Sequence, residues 1–310
     1  MLAQHLRGAA PVTPPRRVLS GRSYLVTRRC SERRFFLRPS QLTNDIFLYV
    51  LALAAQRYHV VVHAVCVLSN HAHLVVTDVD GRLPAFMQYL DSLVARAVNA
   101  SLGRFEGFWA SDGSYSAVEP LDPSDVLAKI AYVLANPVAA GLVRRGAEWP
   151  GLWTAPEQIG TAKLTARRPK AFFDPKGYLP ETLELELSVP RAFSSGDEFR
   201  SALSAAVREL EEKHAQELAS RGRRFLGATR VLAQSPFSRP ALGEPRFGIK
   251  PRVAARDKWK RIEGLFRLKR FECEYRQSQI NWRSGLRDVV FPAGTYLLRL
   301  MHGVQCAGAA

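Results

Sequence analysis

Ser69-Asn70-His71-Ala72-His73-Leu74-Val75-Val76 is the stretch that decides how this chain reads. Two histidines one residue apart enter an apolar run. The run before it, Val60 to Leu68, is equally rich in valine, and the two are separated by Ser69-Asn70. Two β-like runs joined by a polar dipeptide predict a hairpin, with the histidines at the start of the return strand. Side chains two apart on a strand share a face. His71 and His73 therefore present two imidazoles side by side, close enough to hold one metal ion. The plain alternative is a pair of ordinary strand histidines. Parity assigns Ala72, Leu74 and Val76 to one face and His71, His73 and Val75 to the other, with Cys66 on the face of His73.

Outward from the hairpin, Ser23–Arg28 predicts a first strand. A helix follows, capped by Ser40 and running to about Arg57. Beyond the hairpin, Pro84 opens a second helix that Gly103 ends. A short strand is expected near Ser114–Val118. Asp122-Pro123-Ser124-Asp125 opens a third helix, which Asn136-Pro137 should terminate. Strand, helix, strand, strand, helix, strand is the ferredoxin-like βαββαβ succession of an α+β fold, here with one helix added. Helices of such a domain cover one face of the sheet and leave the other open for a site.

The chain has 310 residues, 47% of them hydrophobic, and a formal charge of +16. That is enough apolar material for one large domain or two ordinary ones. A basic excess of this size points to a polyanionic partner. The longest apolar stretch, Phe47 to Ala55, is too short to cross a bilayer, and no signal-type run opens the sequence. The expectation is therefore a cytoplasmic protein whose partner is nucleic acid, not a membrane. Four scattered cysteines, Cys30, Cys66, Cys273 and Cys306, form no Cys-x-x-Cys pair and suit packing.

Residues 1–21 read as a flexible basic arm and 22–155 as the domain that carries the histidines. The proline-rich stretch 156–195 reads as a linker, and 196–310 as a basic C-terminal domain that binds nucleic acid. Residues 196–220 predict an amphipathic helix. Between Lys250 and Arg287 twelve Lys and Arg stand against four Asp and Glu, half of the net charge in 38 residues. Lys258, Lys260, Arg261, Lys269 and Arg270, interleaved with Trp259 and Phe266, suit contact with a phosphate backbone. A merely solvated face is the competing reading. Phe271, Cys273 and Tyr275 alternate with charged residues as on a strand, and Val289–Val304 reads as a strand pair around Pro292-Ala293-Gly294.

The tail of the third helix supplies a chemistry for a two-histidine centre. Tyr132 and Asn136 are four apart and share a helical face. A tyrosine phenolate can attack a DNA phosphate when a cation offsets the charge that builds on the phosphoryl oxygens. The amide oxygen of Asn136 would complete a hard N/O ligand set suited to Mg²⁺ or Mn²⁺. By period alone Tyr132 also suits a core aromatic. Tyr115 is the rival nucleophile, while His59 and His63 sit in or beside the second strand. His63 has the wrong parity for the site.

His71-Ala72-His73 after an asparagine, followed by Tyr132-x-x-x-Asn136-Pro137-Val138 and then Gly141-Leu142-Val143, resembles the single-tyrosine HUH transposases. The REP-associated tyrosine transposases of bacteria are the branch it is most similar to. Phe86-Met87-Gln88-Tyr89-Leu90, Asn99, Phe108-Trp109 and Trp149-Pro150 agree with that likeness, which covers residues 20–155. The resemblance implies cleavage and joining of single-stranded or hairpin DNA through a 5′-phosphotyrosine link. It makes His71 and His73 metal ligands, Tyr132 the nucleophile and Asn136 a further ligand. It leaves open whether the protein is a monomer or a homodimer, and whether the tyrosine acts in its own subunit. The residue between the histidines is only alanine, and the basic extension lies outside the compact family core. The competing expectation is a non-catalytic regulator that binds DNA or RNA hairpins on the same fold. A hydrolase of small phosphoesters fits the charge poorly.

Overall fold

The computed structural model describes residues 15–111, 114–241 and 251–308. They divide into two compact units, one spanning 20–261 and one joining 262–308 to residues 15–19.

The larger unit opens with β1 (Arg22–Arg29), α1 (Gln41–Tyr58), the hairpin β2 (Val60–Leu68) and β3 (His71–Asp78), α2 (Leu83–Ser101) and β4 (Ser116–Pro120). Then come α3 (Pro123–Ala139), a second hairpin of β5 (Lys163–Arg167) and β6 (Thr182–Glu186), α4 (Gly196–Ser220), α5 (Ala228–Ala233) and β7 (Val253–Ala254). The main sheet runs β2-β3-β1-β4-β7, antiparallel up to β4, with β7 added in parallel. Local chemistry sets the helix ends. Ser40 accepts a hydrogen bond from the Thr43 amide at the start of α1, and prolines occupy the first turns of α2 and α3, where the missing N–H costs nothing.

Two apolar layers enclose the sheet. Tyr24, Val26, Val65, Val67, Ala72, Leu74 and Val76 pack against α1 and α2. Leu25, Ala64, Cys66, Leu68 and Val75 pack against α3 and α4. The alternation expected from the sequence therefore holds, and Cys66 pairs directly across from His73. The second face, however, is not open. Ile130, Ala131, Val133 and Leu134 of α3, with Phe199, Leu203 and Val207 of α4, cover it, because the added helix is itself apolar on the sheet side. A register shift between Val62 and Ala64 also reverses parity in β2. His63 thereby turns towards Thr77, on the same face as His73, and its Nε2 lies 2.8 Å from the Thr77 hydroxyl.

Several other expectations are corrected. Asn136-Pro137 does not end α3. Pro137 lies inside the last turn, where it forfeits only the bond from its own nitrogen, and the helix stops at Ala139 before Gly141 at φ +69°. The stretch 156–195 is not a bare connection. The β5–β6 hairpin buries Ala166, Leu183 and Leu185 in the α1 layer, and the Tyr49 hydroxyl donates to the Pro180 carbonyl at 2.6 Å. Residues 1–14 lie outside the described residues, but 15–21 are held rather than loose, with the Val18 amide donating to the Gly294 carbonyl at 3.0 Å.

In the basic region, α6 (Lys258–Arg283) absorbs Phe271, Cys273 and Tyr275 into a helix. Alternation of three residues was too short to outweigh a run of helix formers. The smaller unit ends with α7 (Leu297–His302) in place of a strand pair, although Phe291 does bridge to Cys306. No helix of the described residues is long and apolar enough to cross a membrane.

Candidate active site

His71 and His73 emerge at the start of β3 with ring centroids 4.7 Å apart and planes perpendicular. Strand pairing fixes both. Thr27 of β1 stands across from His73, and its hydroxyl lies 2.8 Å from Nδ1. The Nδ1 of His71 lies 2.6 Å from Oδ1 of Asn70, an acceptor, so Nδ1–H donates and the lone pair is left on Nε2. Asn136, buried on α3, hydrogen-bonds the same imidazole. Tyr132, one turn earlier, sets its ring edge-on to His73 with centroids 5.6 Å apart and stays 42% exposed. The four residues singled out by the motif thus converge at one place, two from a strand and two from the helix that covers it.

The electrostatics favour neutral imidazoles. Burial is the main cause that pushes His71 down to about 4; Arg29 and Arg33 add to it and the bond to Asn136 opposes it. His73 is pushed well below its ordinary value by burial, then by His71 and Arg29. Neutral imidazole is the form that binds metal. The Nε2 of His73 is buried and has no hydrogen-bond partner among the described residues. Leaving such a group unmatched costs about 1–3 kcal/mol, which a bound cation would recover. The donor set therefore fits a divalent ion held by His71 and His73 with the Asn136 amide beside them. No cluster of three His, Cys, Asp or Glu that could hold a metal occurs among the described residues. A cation here would keep several positions for water or phosphate oxygens.

A cleft of about 590 Å³ opens beside Tyr132. Its walls include Thr27 of β1, Asp125, Lys129 and Tyr132 of α3, Arg256 just after β7, and Arg261 in the first turn of α6. The parallel pairing of β7 with β4 brings Arg256 here, and its amide donates to Oδ1 of Asp125 at 2.9 Å. Lys129 and Asp125 could have been noticed in the sequence, since they fall three and seven residues before Tyr132 on one helical stripe. Thr27 and Arg256 could not, because only the strand pairing brings them in.

The rival residues are placed elsewhere. Tyr115 is 7% exposed and belongs to the layer of α1 and α2. His63 donates through Nδ1 to the Ser188 carbonyl at 2.6 Å, and burial pushes it down to about 4. His59 ends α1 at φ +51° and meets Asp80 at 2.9 Å. Cys66 is buried, and that burial pushes its thiol far up. Among the basic candidates of the larger unit, Lys260 is bound to Asp122 at 2.9 Å, which raises its pKa, and Arg261 donates to the Ala255 carbonyl at 3.1 Å. Lys258 lies 5.6 Å from the ring of Trp259. In the smaller unit Arg270 pairs with Glu274 one turn along α6 at 3.4 Å, and Lys269 is exposed.

No family model and no curated protein matches the chain. Among solved structures, it is similar to a REP-associated tyrosine transposase bound to a REP hairpin, at 17% identity and a TM-score of 0.37, over 44% of this chain and 78% of that one. A candidate transposase from Deinococcus radiodurans R1 is similar at 17% identity and a TM-score of 0.27, over 34% of this chain and 85% of that one.

Proposed function

We propose that the larger unit is a transposase-like DNA strand transferase of the HUH type, built on a ferredoxin-like sheet. Its substrate is single-stranded or hairpin DNA. The observation that carries the reading is the convergence of His71, His73, Tyr132 and Asn136. In this reading Tyr132 Oη attacks a backbone phosphorus. The P–O3′ bond breaks as the Tyr–O–P bond forms, leaving a 5′-phosphotyrosine and a 3′-oxygen that takes up the proton the phenol gives up. Attack by that or another 3′-hydroxyl reverses the exchange and joins strands, so no external energy source is needed. His71, His73 and Asn136 would hold Mg²⁺ or Mn²⁺, which when bound neutralises charge on the phosphoryl oxygens. Asn70 and Thr27 fix the two rings so that their lone pairs stay oriented. Lys258, Lys260 and Arg261 of the larger unit, and separately Lys269 and Arg270 of the smaller one, would supply phosphate contacts.

The double substitution His71→Ala with His73→Ala should abolish Mn²⁺-dependent cleavage of labelled hairpin oligonucleotides while DNA binding largely survives. Undiminished cleavage would remove the metal assignment. The absence of a third acidic or histidine ligand among the described residues favours one second reading, a hairpin-binding regulator without catalysis. That reading requires binding with no cleavage in either metal.

A further inference from the structure

Resting on the reading above, we propose that the cleft beside Tyr132 is a nucleotide subsite. In it Lys129 takes a phosphate flanking the scissile one, and Asp125 reads a base through its exocyclic amine. Asp125, Lys129, Tyr132 and Asn136 form one stripe along α3, at spacings of four, three and four residues. The stripe carries the reactive end at Asn136 and Tyr132, and continues about 10 Å along the helix axis from Tyr132 to Asp125. A cleft of about 590 Å³ is of the size that encloses a small ligand.

The polar inventory of the cleft names what it would take. Asp125 is only 3% exposed, its Oδ1 accepts from the Arg256 amide, and its Oδ2 has no hydrogen-bond partner among the described residues. A purely structural Asp125, pinning β7 to the first turn of α3, uses one oxygen and leaves the other unexplained. Lys129 is half-buried and feels the Asp125 charge, yet makes no hydrogen bond to any described residue. Four residues apart, the lysine lacks an acceptor and Oδ2 of the carboxylate lacks a donor. A nucleotide offers both complements: phosphate oxygens for Lys129, with Arg256 and Arg261 alongside, and a base amine for the carboxylate. Among the bases, cytosine presents such an amine and thymine does not. The subsite should therefore favour cytosine over thymine at the base nearest Asp125.

The test uses the full chain with Tyr132→Phe, so that binding is read without turnover, and short oligo(dC) and oligo(dT) as probes. Oligo(dC) should bind about tenfold more tightly than oligo(dT). Adding Lys129→Gln, a change to a half-buried side chain that leaves the fold intact, should weaken both. It should also flatten the salt slope by about 0.7, the value for one phosphate. Adding Asp125→Asn keeps an oxygen for the Arg256 amide and should erase the cytosine preference without changing the slope. An unchanged affinity and slope in the lysine variant, or an unchanged ratio of the two probes in the asparagine variant, overturns the subsite. The chemistry is judged separately by adduct formation in the unsubstituted protein. Variants that behave as stated with no adduct leave the subsite standing and remove the transferase reading. An adduct with unaltered variants does the reverse.

Discussion

At the scale of single residues, two kinds of buried histidine share one sheet face. Nε2 of His73 has no hydrogen-bond partner among the described residues, whereas both nitrogens of His63 are engaged, by Thr77 and by the Ser188 carbonyl. Burial pushes His63 from 6.5 down to about 4, so the unfolded chain binds the proton more readily. The stability that neutral His63 contributes is complete above pH 6.5 and is lost as pH falls towards 4. The loss is on the order of 3 kcal/mol. Urea denaturation of the protein at pH 7 and pH 4.5 should show this fall, and His63→Gln should make it shallower by about one proton. An identical pH dependence in the variant would mean the proton is taken up elsewhere. Tyr132 is the opposite case. Its ring is 42% exposed, so Tyr132→Phe, which keeps the ring, should shift stability by no more than about 1.5 kcal/mol. Thermal melts of the two proteins check that loss of chemistry is not loss of fold.

At the scale of elements, the hairpin and α3 were legible because each carries its own period and punctuation. Alternation fixed which strand residues face which layer, and the four-residue spacing put Tyr132 and Asn136 on one face. What the sequence could not disclose were the contacts made by pairing. The bulge at Val62 and Ala64 turned His63 over, and β7 entered the sheet as two residues, too short for any pattern. Pro137 misled because a proline in a final turn costs only one bond. The site also depends on how α3 exits. Gly146 lies against that exit, and an added Cβ would stand 2.7 Å from the Leu134 carbonyl and 2.9 Å from the Trp153 ring. The Trp153 indole donates to that same carbonyl at 2.9 Å. Gly146→Ala should therefore cost about 1–3 kcal/mol and lower strand cleavage together with stability. Gly107→Ala, which meets nothing within 4 Å, is the matched control and should do neither. Denaturation midpoints and cleavage rates of both variants decide it.

Across the whole molecule, the net charge of +16 would suit the DNA partner proposed above, and the structure says which cations remain to meet a polyanion. Lys260 is committed to Asp122, so its removal trades an internal pair for little. Lys258 and Lys269 are exposed, and the surface pair of Arg270 with Glu274 is a weak competitor for phosphate. Replacing Lys258, Lys269 and Arg270 by alanine should flatten the dependence of log affinity for single-stranded DNA on log salt by up to about 2, near 0.7 for each phosphate that is no longer neutralised. Lys260→Ala alone should flatten it by less. Equal slopes in all the proteins would make this charge a solvated face. The division into two compact units was not legible, because the boundary falls inside α6, where helical sequence runs on without a break.

Covalent linkage of the Tyr132 oxygen to DNA is the step on which the proposed function turns. A labelled hairpin oligonucleotide incubated with the protein and Mn²⁺, then resolved under denaturing conditions, measures this directly. The expected result is a slow-migrating protein–DNA adduct that depends on the metal and is absent from Tyr132→Phe. An adduct that persists in Tyr132→Phe, or none from the unsubstituted protein that binds the same hairpin, would contradict it.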